Sequence, residues 1–72
     1  MHLAEVSSGE SARIIAIEGG QGLRQQLALR GLAEGRVVTR ISGPFGPVVL
    51  RINHDTIVIG RGMAQKIRVG RT

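Results

Sequence analysis

The stretch VVLRINHDTIVIG, residues 48–60, carries the pattern that decides the fold. From Val48 to Asn53, apolar side chains on one face alternate with a mixed set on the other. This two-residue period is typical of a β-strand that buries one side. Asn53–Asp55 consists of turn-forming residues, and Thr56–Gly60 resumes the β-branched pattern. The stretch therefore predicts two strands joined by a tight turn.

Three more strands are predicted outside this stretch, where runs rich in Val and Ile lie between glycines. They cover Ser11–Glu18, Arg36–Ile41 and Gln65–Val69. A chain of 72 residues is too short for two stacked sheets of the immunoglobulin type. A small closed β-barrel is the economical arrangement, because closure removes free strand edges. We therefore expect one all-β domain over residues 1–72, with Leu3 and Val6 plugging one end of the barrel.

One short helix is predicted after the first strand, over Leu23–Arg30. Its Leu, Gln, Ala and Arg residues are strong helix formers, and Leu23 and Leu27 lie on one face. Gly31 suits the left-handed position that follows a helix, and Leu32 then folds back onto Leu27, as in the Schellman motif. We therefore expect the helix to end at a cap centred on Gly31.

The composition excludes several kinds of site but leaves the class of partner open. The chain has no cysteine, so it holds no disulfide and no thiolate metal site. Ten basic residues against five acids give a formal net charge of +5, which suits an acidic protein surface, a nucleic acid or membrane headgroups. Phe45 is the only aromatic residue apart from the histidines, so bases have no platform to stack on. We therefore expect no nucleic-acid partner.

Neither membrane insertion nor catalysis is predicted. No stretch approaches the roughly 18 apolar residues of a membrane span, so we expect a cytoplasmic protein. His2 and His54 lack a Ser, Cys or carboxylate partner at a spacing typical of a catalytic pair. Gly19–Gly22 precedes the helix but lacks the Gly-Lys-Ser/Thr ending of a phosphate-binding loop. We expect no enzyme activity, no cofactor and no metal site.

The loop Gly43–Pro47 is the most distinctive irregular segment, because it places Phe45 among two prolines and two glycines. Two interpretations of Phe45 stay open. In one, its ring caps the core of the barrel. In the other, it is an exposed anchor for a partner, as aromatic residues often are in binding hot spots.

Several motifs, taken in their order along the chain, resemble the FeoA family, ferrous iron transport protein A. The opening from Leu3 to Ile14 is similar to that family's opening. LRQQL at 23–27 and GLAEG at 31–35 are similar to its helix and its Gly-Leu-x-x-Gly turn. The resemblance continues to Val69 and so covers nearly the whole chain.

Two further motifs extend the resemblance. Residues Ile59–Val69 are close to a common family ending, and Gly43–Val48 resembles the family's Ala-Pro-x-Gly-Asp-Pro loop. This loop begins with Gly43 instead of alanine, and it lacks the aspartate between Gly46 and Pro47. Any role of that acid in the family does not carry over to this chain.

The resemblance implies an SH3-like β-barrel of about five strands with the helix inserted after the first. It also implies a small cytoplasmic accessory, without enzyme activity or iron binding of its own. Such an accessory acts on FeoB, the membrane ferrous-iron transporter with a cytosolic G domain. Two rival functions stay open: a barrel associated with metal-dependent transcriptional regulators, and a small RNA-binding barrel. A homo-oligomer also stays open.

We place the partner-binding surface at the proline-glycine loop. Phe45 is its expected anchor, and Arg40 and Arg51 are its expected flanking charges. The predicted contact residues are Gly43, Pro44, Phe45, Gly46, Pro47, Arg40 and Arg51.

Overall fold

Five antiparallel strands and two short helices build the fold, in a computed structural model that describes residues 1–72. A 3₁₀ turn at Leu3–Glu5 comes first. The elements then follow as β1 Ser11–Ile17, α1 Gln21–Leu29, β2 Val37–Arg40, β3 Val48–Ile52, β4 Asp55–Ile59, α2 Arg61–Ala64 and β5 Ile67–Arg71. The predicted five strands, with one short helix after the first of them, are confirmed.

β3 and β4 pair as an antiparallel hairpin over all five residues of each strand. Asn53 and His54 alone form the turn. Asn53 has a φ of 55°, in the left-handed region that Asn tolerates better than most residues. Burial alternates along β3, with Arg51 on the exposed face. The two strands and tight turn predicted from the alternating pattern are therefore confirmed.

The sheet is barrel-like, but its hydrogen-bonded ladder does not close. The strands adjoin in the order β4-β3-β2-β1-β5, so β4 and β5 are the two edges. The N-terminal segment covers the outer edge of β5, where the Val69 amide donates to the Met1 carbonyl at 2.9 Å and His2 bridges Arg68. The expected closed barrel is therefore an open ladder, in which the N-terminal segment rather than β4 lies along β5.

Aliphatic side chains fill the core, as the near absence of aromatic residues requires. Sixteen buried Leu, Ile, Val and Ala residues form one cluster. Leu3 and Val6 belong to it, so the N-terminal segment contributes to the core as expected. None of the helices combines the length and the apolar character that a membrane crossing requires.

α1 ends in the predicted Schellman motif. Gly31 has a φ of +88°, the Leu32 amide donates to the Leu27 carbonyl at 2.8 Å, and the Gly31 amide donates to the Ala28 carbonyl at 2.9 Å. Leu32 is fully buried and Leu27 nearly so. The cap therefore turns the chain sharply from α1 back into the core.

β5 begins two residues later than the predicted strand. The Gln65 amide donates to the Arg61 carbonyl, and the Lys66 amide donates to the Met63 carbonyl, both at 3.0 Å. These bonds prolong the turn of α2 through the residues predicted to begin the strand. The extended conformation starts only at Ile67.

Candidate functional site

The loop between β2 and β3 carries the most exposed large apolar side chain of the protein. Phe45 is 89% exposed, so its ring does not cap the core. Burial of a Phe side chain contributes about 1.5–3 kcal/mol, and that contribution is unused in the isolated chain. Of the two interpretations left open by the sequence, the structure agrees with the exposed ring. We call residues 43–47 the Phe45 loop.

Arg40 holds the base of the Phe45 loop from inside the protein. It lies at the end of β2 and is 3% exposed. Its Nη2 donates to the Gly43 carbonyl at 2.8 Å, and its Nε donates to the Ser42 hydroxyl at 3.4 Å. Its Nη1 donates to the Ala4 and Val6 carbonyls, both at 2.9 Å. Arg40 thus ties the Phe45 loop to the N-terminal segment.

Arg40 lies beneath the predicted contact surface instead of flanking it on the outside. A side chain that is 3% exposed cannot reach a partner directly. Its guanidinium donates hydrogen bonds to carbonyls of the N-terminal segment and of the Phe45 loop, which are far apart in the sequence. Arg40 is therefore a positioning residue for the Phe45 loop.

Arg61 holds the tip of the same loop from the outside. It begins α2, is exposed, and donates from Nη1 to the Pro44 carbonyl at 2.7 Å. The Gly46 carbonyl lies at 3.5 Å from the same nitrogen. Sequence reasoning did not single out Arg61, because it lies seventeen positions after Pro44 and no local pattern joins them.

Ser42 closes the loop onto the sheet. Its hydroxyl accepts from the Val49 amide at 3.0 Å. The Ile41 amide donates to the Val49 carbonyl at 2.9 Å, so both backbone groups of Val49 face the start of the loop. Phe45 is therefore presented by a loop with fixed ends. Sequence reasoning also missed Ser42, although a serine before Gly-Pro is a recognisable turn signal.

Arg51 lies apart from these contacts, on the exposed face of β3. It is opposite Thr39 of β2 and Thr56 of β4. The structure therefore brings Arg40 to the Phe45 loop and leaves Arg51 on the neighbouring open surface of the sheet.

A cleft lies between the N-terminal segment and the Phe45 loop, with a volume of about 310 Å³. We call it the Arg61 cleft. Its lining residues are Ala4, Glu5, Val6, Ser7, Ser8, Arg40, Pro44 and Arg61. It therefore combines two guanidinium groups with one carboxylate.

The Glu5 carboxylate is directed towards His2. Its Oε1 accepts from the His2 backbone amide at 2.9 Å and lies 3.4 Å from His2 Nε2. The backbone hydrogen bond is the main cause that lowers the pKa of the Glu5 carboxyl below its ordinary value. Glu5 is therefore ionised at neutral pH, and its carboxylate contacts His2 rather than an arginine of the cleft.

A second exposed apolar surface lies on another part of the molecule. Leu29 at the end of α1 is 88% exposed, and Val58 of β4 is 52% exposed. Both line a groove of about 420 Å³ between α1, β4 and α2. Arg30 crosses this region and donates from Nη2 to the Val58 carbonyl at 3.1 Å. Leu29 matches Phe45 in exposure and so provides a control position for it.

The two histidines lie in separate places, His2 beside the 3₁₀ turn and His54 in the β3–β4 turn. No group of three or more His, Asp or Glu side chains lies close enough together to hold a metal ion.

Comparison with known proteins identifies relatives along nearly the whole chain. A family model described as the FeoA domain matches residues 1–71. A curated relative from Methanocaldococcus jannaschii, named "Putative Fe(2+) transport protein A", is 36% identical over 67 residues, which are 93% of this chain and 82% of the relative. A crystal structure of an iron uptake regulatory protein (FeoA) has a TM-score of 0.87 at 28% identity and covers 96% of this chain and 93% of that chain.

Two more distant likenesses concern the fold alone. Stenotrophomonas maltophilia FeoA, solved with zinc and described as a prokaryotic SH3 domain protein, has a TM-score of 0.82 at 20% identity over 97% of this chain and 89% of its own. This confirms the predicted SH3-like fold. T. acidophilum IdeR has a TM-score of 0.87 at 23% identity, and the match covers 100% of this chain but 34% of the IdeR chain.

Proposed function

The chain belongs to the FeoA domain family, and from this premise we propose that it is a small non-enzymatic accessory of ferrous iron uptake. In this proposal it acts in the cytoplasm, as one domain over residues 1–72, by binding the cytosolic face or G domain of a FeoB-type transporter. The observation that carries the proposal is the family match over residues 1–71. The relative from M. jannaschii, named for Fe(2+) transport, supports it.

The contact surface of this proposal is the Phe45 loop. Its support is the combination of an 89% exposed aromatic side chain with a backbone held at Gly43 by Arg40 and at Pro44 by Arg61. A rigid presentation lowers the entropy lost when a partner binds. Gly43, Pro44, Gly46 and Pro47 shape the loop, Phe45 is its anchor, and Arg51 contributes charge from the adjacent face of β3.

Iron uptake in cells tests the accessory role. A strain that lacks the gene for this chain receives the wild-type chain, Phe45→Ala or Leu29→Ala, and uptake of radioactive Fe²⁺ is measured. We expect the wild-type chain and Leu29→Ala to restore uptake, and Phe45→Ala to restore less. Uptake that is the same with and without the wild-type chain would refute the accessory role.

A second candidate function is a domain that works with metal-dependent transcriptional regulators. The observation that favours it is the fold likeness to IdeR, in which this chain corresponds to about a third of the regulator. A gel-shift assay with a cognate regulator and its operator tests this candidate. A change in operator affinity on addition of this protein would favour it, and an unchanged affinity would exclude it.

A further inference from the structure

Neither guanidinium group of the Arg61 cleft is paired with an acid of this chain. The acids of the chain that lie close to a basic side chain pair elsewhere: Glu5 with His2 at 3.4 Å, Glu34 with Arg24 at 2.7 Å and Glu18 with Arg68 at 3.9 Å. Neither Arg40 nor Arg61 takes part in these pairs. The two cations of the cleft therefore contact only neutral acceptors.

Arg40 is a buried cation stabilised by dipoles alone. Its four hydrogen bonds reach three backbone carbonyls and one hydroxyl. A guanidinium has five N–H donors, so one donor on Nη2 remains without an acceptor. A buried charge without a counter-ion has an unfavourable free energy. An anion that enters the cleft would make the free energy of the buried guanidinium more favourable.

Arg61 has the donors that an entering anion needs. Only its Nη1 is used within the chain, by the Pro44 and Gly46 carbonyls. Its Nε and Nη2 remain free, and these two nitrogens form the fork that pairs with two oxygens of a carboxylate. Ser7 and Ser8 also line the cleft, and their hydroxyls make no hydrogen bond within the chain, so they add two further donors.

We propose that the Arg61 cleft binds one Asp or Glu side chain from an acidic segment of the partner. Arg61 pairs with the carboxylate, and the buried charge of Arg40 attracts it from below. Phe45, next to Pro44 at the edge of the cleft, packs on an apolar residue of the same segment. This inference rests on the proposed function, since it specifies the partner surface that the Phe45 loop recognises.

A carboxylate fits the cleft better than a phosphate. The ionised Glu5 lines the same cleft, and its repulsion grows with the charge of the incoming group. A carboxylate carries one negative charge, whereas a phosphate carries between one and two at neutral pH. The exposed Phe45 ring also favours a polypeptide over a free anion, because only a chain offers apolar side chains beside the charged one.

Titration with small anions tests the cleft without any partner. The ¹⁵N-labelled protein receives sodium acetate, sodium phosphate or sodium chloride at equal ionic strength, and its NMR spectra are recorded. We expect acetate to cause saturable shifts of the Arg61 Nε–H signal and of the Ser7 and Ser8 amide signals. In Arg61→Gln the acetate shifts at Ser7 and Ser8 should disappear, whereas in Arg36→Gln they should remain.

Three outcomes of this titration overturn the inference. Acetate shifts that do not saturate, or that persist in Arg61→Gln, would mean that the cleft is not a carboxylate site. Binding of phosphate tenfold tighter than acetate would identify a phosphate site instead. Arg61→Lys keeps the charge but loses the fork, so it should bind acetate more weakly than the wild-type chain.

A second arm connects the cleft to the proposed partner. With the purified cytosolic part of the cognate FeoB, we expect Arg61→Gln to lower the affinity by about tenfold, as for other interfacial charge pairs, and Arg36→Gln to change it by less than about twofold. An unchanged affinity of Arg61→Gln would refute the role of the cleft in this contact. A FeoB that does not bind the wild-type chain would instead refute the proposed function. The acetate titration alone would then decide whether the cleft binds a carboxylate.

Discussion

Replacement of Arg40 by methionine should destabilise this protein more than any change of another arginine. Methionine fills much of the same volume but donates no hydrogen bond. The carbonyls of Ala4, Val6 and Gly43 would then lose their donor. Of these bonds, the one to Val6 is buried and the other two are partly buried, so water can reach the latter two in the variant.

The expected magnitude follows from these acceptors. A buried acceptor without a partner costs about 1–3 kcal/mol. We assign about 2 kcal/mol to the Val6 carbonyl and about 0.5 kcal/mol to each of the two partly hydrated ones, hence about 3 kcal/mol in the free energy of unfolding. Small domains have about 0.05–0.15 kcal/mol of stability per residue, or about 4–11 kcal/mol for 72 residues. The variant should therefore lose a large part of its stability.

Denaturation followed by far-ultraviolet circular dichroism measures this loss. A change of 3 kcal/mol should lower the Tm by roughly 12–24 °C in a domain of this size. Arg36→Met is the matched control, since Arg36 is exposed and its side chain makes no hydrogen bond, and its stability should stay within about 0.5 kcal/mol of the wild type. A stability of Arg40→Met within about 1 kcal/mol of the wild type would show that the guanidinium does not hold the loop and the N-terminal segment together.

Other positions give smaller and separable effects. Gly31→Ala should lower the free energy of unfolding, measured by urea denaturation, by about 1 kcal/mol, because the φ of +88° is unfavourable for alanine. Its Cβ would meet Ile52 at an ordinary 3.6 Å, so no clash adds to this cost. An unchanged free energy would argue against the left-handed cap. Glu5→Gln should lower the Tm slightly at pH 7, and this difference from the wild type should vanish on acidification. A carboxyl with a lowered pKa stabilises the fold above its unfolded pKa and loses this effect as the pH falls through the folded pKa. A Tm difference that widens in acid would contradict this. Phe45→Ala should leave the stability within about 0.5 kcal/mol of the wild type, since the ring is exposed, and a larger loss would mean that Phe45 packs on the core.

Much of the fold could be predicted because its signals are local. The two-residue period of residues 48–52 and the Asn-His turn are sufficient for the β3–β4 hairpin. Gly31 followed by Leu32 is sufficient for the end of α1. Strand edges are set by longer-range contacts, so the open ladder and the cover of β5 by Met1 and His2 could not be read from a pattern.

The candidate site was harder to predict, because its contacts join distant segments. Arg40 shares one face of β2 with Val38, and Thr39 lies on the other face. A charged residue in such a half-polar strand is usually expected to face water. The burial of Arg40 depends on carbonyls at residues 4 and 6, which only the folded chain brings near. The contact of Arg61 with Pro44 could not be predicted for the same reason. Phe45 was recognisable from the sequence as a single aromatic residue in a proline-glycine loop.

Calorimetric titration of the purified cytosolic part of the cognate FeoB into this protein tests most directly whether the chain acts by binding that transporter. We expect saturable binding of the wild-type chain, with or without guanine nucleotide. Phe45→Ala should weaken the affinity about thirtyfold, as for a hot-spot residue of about 2 kcal/mol, while Leu29→Ala, at a side chain of equal exposure, should change it by less than about twofold. No binding of the wild-type chain under either condition would contradict the proposed function, and equal binding of Phe45→Ala would contradict the assignment of the Phe45 loop as its contact surface.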